Sequence, residues 1–150
     1  MAHSERPEPA AVPTAGQLID LFALATTAYF QDFAAVAGQH GLTSTQAKVL
    51  ILLREPLSMR GLAEQLICDA SNVTGIIDRL ESRGLVRREV DPTDRRIKYA
   101  QRTEAGDEAI RRVRADMQAT QRVLADLGDD DRIALAGLLR RLQGTLDQPS

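Results

Sequence analysis

The chain has no tryptophan, one cysteine, three phenylalanines and two tyrosines, and each shortage removes a class of function. At 3% aromatic content there is little material for the stacking platform that holds single-stranded nucleic acid, so a double-stranded target fits better. Cys68 stands alone, which excludes an intrachain disulfide and leaves any metal site without thiolate partners; no metal and no cofactor is expected. The only histidines are His3 and His40, and the chain carries no HExxH, no GxSxG and no Gly-rich phosphate loop. Nothing sets a nucleophile beside a base, so the expectation is a protein that is not an enzyme. No stretch approaches the ~18 consecutive apolar residues of a membrane span. The opening MAHSERPEPAAVPT is rich in Pro, Ala and charge and lacks an apolar signal-peptide core. A cytoplasmic protein without a membrane partner is expected, with a disordered tail over residues 1–14.

What is present describes an ordinary globular chain: 150 residues, 43% hydrophobic and 27% charged, enough for one compact protomer with its own core. The net charge of -2 argues against a nucleic-acid partner only if the charge is evenly spread, and it is not. From Arg79 to Arg102 there are eight basic residues (Arg79, Arg83, Arg87, Arg88, Arg95, Arg96, Lys98, Arg102) against four acidic ones (Glu81, Glu89, Asp91, Asp94). Arginine dominates the basic set, which suits phosphate and guanine recognition, although a general arginine bias produces the same count.

Apolar residues at Leu18, Ile19, Leu21, Phe22, Ala25, Tyr29, Phe33 and Val36 recur at spacings of three and four, as an amphipathic helix requires, and Gly38 and Gly41 end it. Thr43 or Ser44 suits the N-cap of a second helix through Ala47, Val49, Leu50, Leu52 and Leu53, stopped by Pro56. Ser58 is placed to cap a third helix, Met59 to Leu66, and Asp69 a fourth. In that fourth helix, over residues 70–83, Val73, Ile76, Ile77 and Leu80 form an apolar stripe, with Ser71, Asn72, Thr74, Gly75, Asp78 and Arg79 opposite and Gly84 at the end. Leu85 to Val90 and Arg96 to Arg102 then pair as strands across the polar tip DPTDRR, with Asp91 and Pro92 at the first two turn positions.

Two short helices, a tight turn and a basic ribbon in that order match a winged helix-turn-helix, a fold that places one helix in a DNA major groove. The first turns of such a helix lie nearest the base edges, where Asn pairs with adenine and Ser or Thr meets bases or phosphates. Taken alone, a polar face of this kind is more often ordinary solvation, and a hairpin tip a solvated loop; their succession along the chain gives them joint meaning.

The runs NVTGIIDRLESRGLVRREVDPTDRR and RTEAG resemble the multiple-antibiotic-resistance regulator family, MarR, of bacterial transcription factors. GLTSTQAKVLILL looks like the family's second helix and LGDDDRIALAGLLRRL like its last, so the likeness covers roughly Gln17 to Leu146. It implies a mainly α protein with a small β wing, a winged helix-turn-helix with N- and C-terminal dimerisation helices. The implied divisions are a dimerisation helix over 15–40, the DNA-binding lobe over 41–103 and further dimerisation helices over 104–150. Independently, Ala109, Val113, Met117, Thr120, Val123, Leu124 and Leu127 mark one long helix, and Ile133, Leu135, Leu138, Leu139, Leu142 and Leu146 another beyond Gly128-Asp129. Such stripes must be covered, by a partner chain or by an intrachain bundle.

The resemblance further implies a homodimer, most often a repressor, reading a near-palindromic duplex through two recognition helices about one DNA turn apart. Ser71, Asn72, Thr74 and Arg79 match family positions that face bases or phosphates, Gly75 lets the backbone approach, and Arg95, beside Arg96, matches a wing arginine entering the minor groove. Asp94 matches the aspartate that steadies it, and Ser58 and Arg60 match backbone contacts at a helix N-terminus. Relatives also bind small phenolic or aromatic anions at the junction of dimerisation helices and lobe, which makes Tyr29, Phe33, His40 and Arg102 candidates to border a pocket. Arg102 alternatively sends its head to solvent or pairs with a carboxylate, Tyr29 and Phe33 alternatively serve the core or dimer, and His40 a helix end. The chain departs from the family where many relatives carry Gly and an aliphatic residue, at Ile67 and Cys68, and Cys68 is expected to replace a buried apolar side chain as an inert, structural thiol, a redox sensor being the alternative. A winged-helix module that binds protein without sequence-specific DNA binding is the alternative reading.

Overall fold

Thr14 starts the first helix, α1 (Ala15–Gln39), with a capping box in which its side chain accepts from Gln17 N and Gln17 reaches back to the cap N–H. The structure, a computed structural model, describes residues 11–146, with side chains as far as residue 144. The first ten of the fourteen expected tail residues, His3 among them, lie outside the described residues. Helix α1 ends at His40, and Gly41 turns the chain with φ 68°. Helix α2 (Ser44–Leu52) is capped by Thr43, again with a capping box, through Gln46. Strand β1 (Leu57–Ser58) follows and then α3 (Met59–Leu66), where Ser58 Oγ accepts from Gly61 N at 3.0 Å. Next come α4 (Ala70–Ser82), the antiparallel pair β2 (Val86–Val90) and β3 (Lys98–Arg102), α5 (Glu104–Asp116), α6 (Gln118–Ala125) and α7 (Asp129–Leu146).

The core lies where the lobe meets the end of α1 and the length of α5. Phe33 and Val36 of α1, Leu50 of α2, Leu62 of α3, Val73, Ile77 and Leu80 of α4, Val86 and Ala100 of the sheet, and Ile110 and Val113 of α5 are all buried in one cluster. Each such aliphatic side chain contributes ~1.5–3 kcal/mol on leaving water, so α4 is held by three anchors on one side while its other side stays free. The sheet order is β1-β3-β2, with Leu57 opposite Ala100 and Val86 opposite Arg102. The second wing strand begins at Lys98 rather than Arg96, because Arg96 belongs to the turn.

The long helix expected from Ala109 to Leu127 is two helices, broken at Met117 with φ −71° and ψ 62°. The cause lies on α1. Asp32 accepts from the Thr120 N–H at 3.1 Å and its hydroxyl at 2.6 Å, so a carboxylate from another helix caps the start of α6. Gln121 Nε2 donates to the Arg114 carbonyl and satisfies an acceptor at the end of α5. Val113 and Met117 are buried, whereas Val123 and Leu124 beyond the break are exposed.

The joint between wing and α5 is tight. Thr103 caps α5, its N–H donates to Leu85 O at 3.1 Å, and its hydroxyl donates to Gly84 O at 2.6 Å. This draws Gly106 so close that a Cβ there would lie 2.2 Å from Leu85 O and 2.6 Å from Arg102 Cγ. At the other extreme, Leu18, Ile19, Leu21, Phe22 and Leu24 of α1, Val123 of α6, and Ile133, Leu138, Leu139 and Leu142 of α7 remain exposed, so the chain does not cover its own terminal stripes.

Candidate nucleic-acid interface

Helix α4 buries Val73, Ile77 and Leu80 and exposes Ser71, Asn72, Thr74 and Arg79, with Gly75 half-buried between them. Thr74 returns its hydroxyl proton to Ala70 O at 3.0 Å, while the side chains of Ser71, Asn72 and Arg79 engage no other described residue. A Cβ built at Gly75 meets nothing within 4 Å, so this part of the face is open to an approaching molecule. Asp69 holds the N-cap position, as expected, but its carboxylate makes no capping hydrogen bond; its carbonyl accepts from Asn72 N instead, at 3.0 Å. The face is polar, uncommitted and rigidly backed.

The wing tip is built around Asp91, whose carboxylate accepts from Thr93 N at 2.7 Å, from the Thr93 hydroxyl and from Asp94 N at 2.9 Å. The Thr93 hydroxyl bond first, then the two N–H bonds, hold the Asp91 pKa below the usual carboxylate range. Asp94 was expected to steady Arg95. It instead accepts from Arg96 N at 3.0 Å and stands 4.0 Å from Arg96 Nε, because a short carboxylate most readily meets the N–H two residues on. Arg95 is left exposed without a partner among the described residues.

The eight basic residues from Arg79 to Arg102 divide sharply by this measure. Arg83 donates to Gly41 O at 2.8 Å, Arg87 pairs with Glu89 at 2.8 Å, and Arg102 reaches Leu50 O at 2.6 Å and Asp107. Arg88 pairs with both Asp78 and Glu81 of α4, and Glu81 also accepts the Arg88 backbone N–H at 3.0 Å. Arg79, Arg95 and Lys98 have no protein partner among the described residues, and Arg96 has only the long contact to Asp94. Of these eight, the unspent cations therefore lie on α4 and on the wing. Ser58 and Arg60 sit at the start of α3, Ser58 committed to its cap and Arg60 exposed and paired with Glu64 at 3.0 Å. An open cleft of about 1160 Å³ runs from these two past Asp69 and Ala70 to Arg96 and Lys98.

Along the chain Arg88 is one cation among many, and only its pairing with α4 sets it apart. Burial lowers its pKa, but the hydrogen bonds and charges of Asp78 and Glu81 outweigh burial and hold it above the ordinary arginine value. It ties β2 to α4 and so sets the angle between wing and helix. Arg88→Met is expected to cost about 2 kcal/mol, since two carboxylates lose a charge-assisted partner. Chemical denaturation measures this, and a midpoint unchanged from wild type would refute it.

The four residues proposed to border an effector pocket are not gathered into one cavity. Phe33 is buried in the core and stacks on Tyr29 with ring centroids 5.9 Å apart. His40 Nε2 lies 2.8 Å from Asp116 Oδ2 at the end of α1. Arg102 follows the carboxylate-pairing alternative, with its guanidinium also capping the carbonyl end of α2, so its head is not free for solvent or ligand. Tyr29 alone lines a recess, of about 380 Å³, together with Arg114, Met117, Thr120, Leu124 and Arg132. Burial raises its pKa, partly offset by Arg114. Among the described residues no cluster of His, Cys, Asp and Glu is arranged for a metal ion, and no helix is long and apolar enough to cross a membrane.

A capped helix pair, an open polar helix face and a three-stranded sheet ending in a basic hairpin define a winged helix-turn-helix protein. The MarR family model matches residues 42–98. The HTH-type transcriptional regulator YkoM of Bacillus subtilis is 31% identical over 134 residues, covering 87% of this chain and 86% of that protein. The chain belongs to the MarR family: it is a DNA-binding transcriptional regulator and not an enzyme. The crystal structure of Sco3205 from Streptomyces coelicolor, a MarR family regulator in complex with DNA, is similar with a TM-score of 0.66 at 26% identity, covering 93% of each chain. A MarR family regulator from Silicibacter pomeroyi shares the fold with a TM-score of 0.74 at 23% identity, over 95% of this chain and 99% of that one.

Proposed function

We propose that the protein acts as a homodimeric repressor that covers a near-palindromic operator, with α4 of each protomer in the major groove and each wing at the flanking minor groove. The observation that carries this reading is the distribution of unspent polar groups: Ser71, Asn72 and Arg79 on α4 and Arg95 on the wing have no protein partner among the described residues. In the groove, Asn72 suits adenine, Ser71 and Thr74 suit bases or phosphates, and Arg79 suits a phosphate or guanine. Gly75 lets the helix backbone approach closely. Arg95 suits the minor groove, where A·T-rich sequence deepens the negative potential, with Asp94 and Arg96 shaping the turn that presents it. Ser58 and Arg60 suit the phosphate backbone, at an N-terminus whose dipole favours anions.

The exposed apolar stripes of α1, α6 and α7 support a dimer, because water-facing rows of Leu, Ile and Phe are stabilised by a second copy of the same surface. The recess beside Tyr29, with Arg114 and Arg132 at its edge, suits a small aromatic or phenolic anion. An effector there would act by changing the spacing of the two lobes.

Footprinting on the DNA flanking its own gene tests the reading, together with affinity measured across a salt series. A DNA binder loses affinity steeply as salt rises, because each neutralised phosphate releases counterions, whereas a protein-docking module does not. Arg95→Ala is expected to weaken binding by about tenfold to a hundredfold and to flatten the salt slope. Wild-type affinity in that variant would remove the wing from the interface.

A further inference from the structure

Ile67 carries two costs that the fold does not offset. It is the one non-glycine residue with positive φ among those described, at φ 52° and ψ 50°, and a β-branched side chain is poorly suited to that region. It is also 93% exposed, the highest value among the large apolar residues described. The backbone explains the turn. The N–H groups of Ile67 and Cys68 donate to Glu64 O at 3.2 Å and Ala63 O at 3.1 Å, closing the end of α3, and glycine would make those bonds without strain. Leu66 and Cys68 on either side pack against the core, while Ile67 does not. The isoleucine side chain therefore serves nothing inside this protomer.

Its surroundings indicate what it meets. Ile67 forms part of the wall of the open cleft, which also includes Arg60, Arg96 and Lys98 as well as Ala70, the first residue of α4. The same wall holds two carboxylates, Glu64, which pairs with Arg60, and Asp69, so the cations left over are Arg96 and Lys98 of the wing. An apolar side chain beside them fits an anionic partner that offers an isolated apolar group. In the major groove that group is the C5-methyl of thymine. We infer that Ile67 is a specificity-determining residue that packs on a thymine methyl at the edge of each half-site, where α4 enters the groove. The inference rests on the groove docking proposed above. The contact selects T·A at one position without any hydrogen bond, and it puts to use an exposure that is otherwise only a liability.

The test is selection of duplexes from a randomised library by wild type, Ile67→Gly and Ile67→Asn, the last keeping a residue that tolerates the left-handed conformation. Wild type is expected to enrich T·A at one position per half-site that neither variant enriches, the rest of the site being shared. Replacing that thymine by uracil, which lacks the methyl, is expected to weaken wild type about fourfold per half-site, the value of one buried methyl group, and to leave Ile67→Gly unaffected. Ile67→Gly is also expected to melt about 3 °C higher, because the strain is relieved. A gain in stability with a loss of thymine preference is what a merely structural residue would not show. Identical selected sites for all three proteins, or no effect of uracil on wild type, would overturn the role of Ile67 while leaving groove docking intact. Failure of wild type to enrich any sequence would overturn both.

Discussion

Gly106→Ala is expected to lower the melting temperature by about 10 °C, corresponding to about 3 kcal/mol for a chain of this size. The added Cβ would stand 2.2 Å from Leu85 O and 2.6 Å from Arg102 Cγ. Arg102 can swing away, at the cost of its bonds to Leu50 O and Asp107, but the Leu85 carbonyl cannot move without the start of β2 at Val86. Leu85 O is also the acceptor for Thr103 N, so any shift opens the hydrogen bonds that set α5 on the wing. Ordinary helix propensity argues the other way, since alanine is favoured over glycine inside a helix by about 1 kcal/mol. Differential scanning calorimetry decides between the two: a variant that melts at or above the wild-type temperature would show that the joint can relax, and would remove the steric reason for glycine in RTEAG.

The second large effect is expected at the terminal helices. Phe22→Glu places a carboxylate within the exposed apolar row of α1, far from the buried Phe33 and Val36 that tie α1 to the lobe. If α1 is buried against a second copy, the substitution puts an unpaired charge into that interface twice, once per protomer, at several kcal/mol each. Sedimentation is then expected to show a monomer at micromolar concentration with undiminished helicity. Affinity for a duplex carrying two half-sites should fall by at least about a hundredfold, because the second recognition helix no longer docks as an intramolecular event. Affinity for a single half-site should barely change. A variant that stays dimeric and binds as wild type would place the interface elsewhere.

Much of this molecule was legible along the chain because the relevant signals are local. The stripe Val73, Ile77 and Leu80 reports burial through helical period alone, and Ser58 and Thr43 announce caps through hydroxyls placed three residues before the N–H groups they accept. The DPTD turn is equally local, since Asp91 bonds groups two and three residues on. Other features left no such trace. Strand β1 has two residues, too short for any alternation, and exists only because β3 offers an edge. The break at Met117 depends on Asp32, 88 residues before Thr120, so the apolar spacing across it reads as one continuous helix. Asp94 was matched to Arg95 by position, yet carboxylate reach decided for Arg96.

The sequence by itself determined the order of elements, which face of α4 is apolar and where the basic residues are concentrated, because these follow from periodicity, capping and composition within a few residues. The tertiary structure decided which of those basic residues remain available. Arg83, Arg88 and Arg102 turn to carbonyls and carboxylates that other elements bring to them, Arg87 meets Glu89 of its own strand and the Gln101 amide oxygen across the ladder, and Arg79, Arg95 and Lys98 have no such partner among the described residues. The same step left Phe33, His40 and Arg102 committed inside the protomer and Ile67 facing outward under strain. A charge is free or spent according to what lies within about 4 Å of it, and that distance is set by packing between segments far apart in the chain, which no local pattern records.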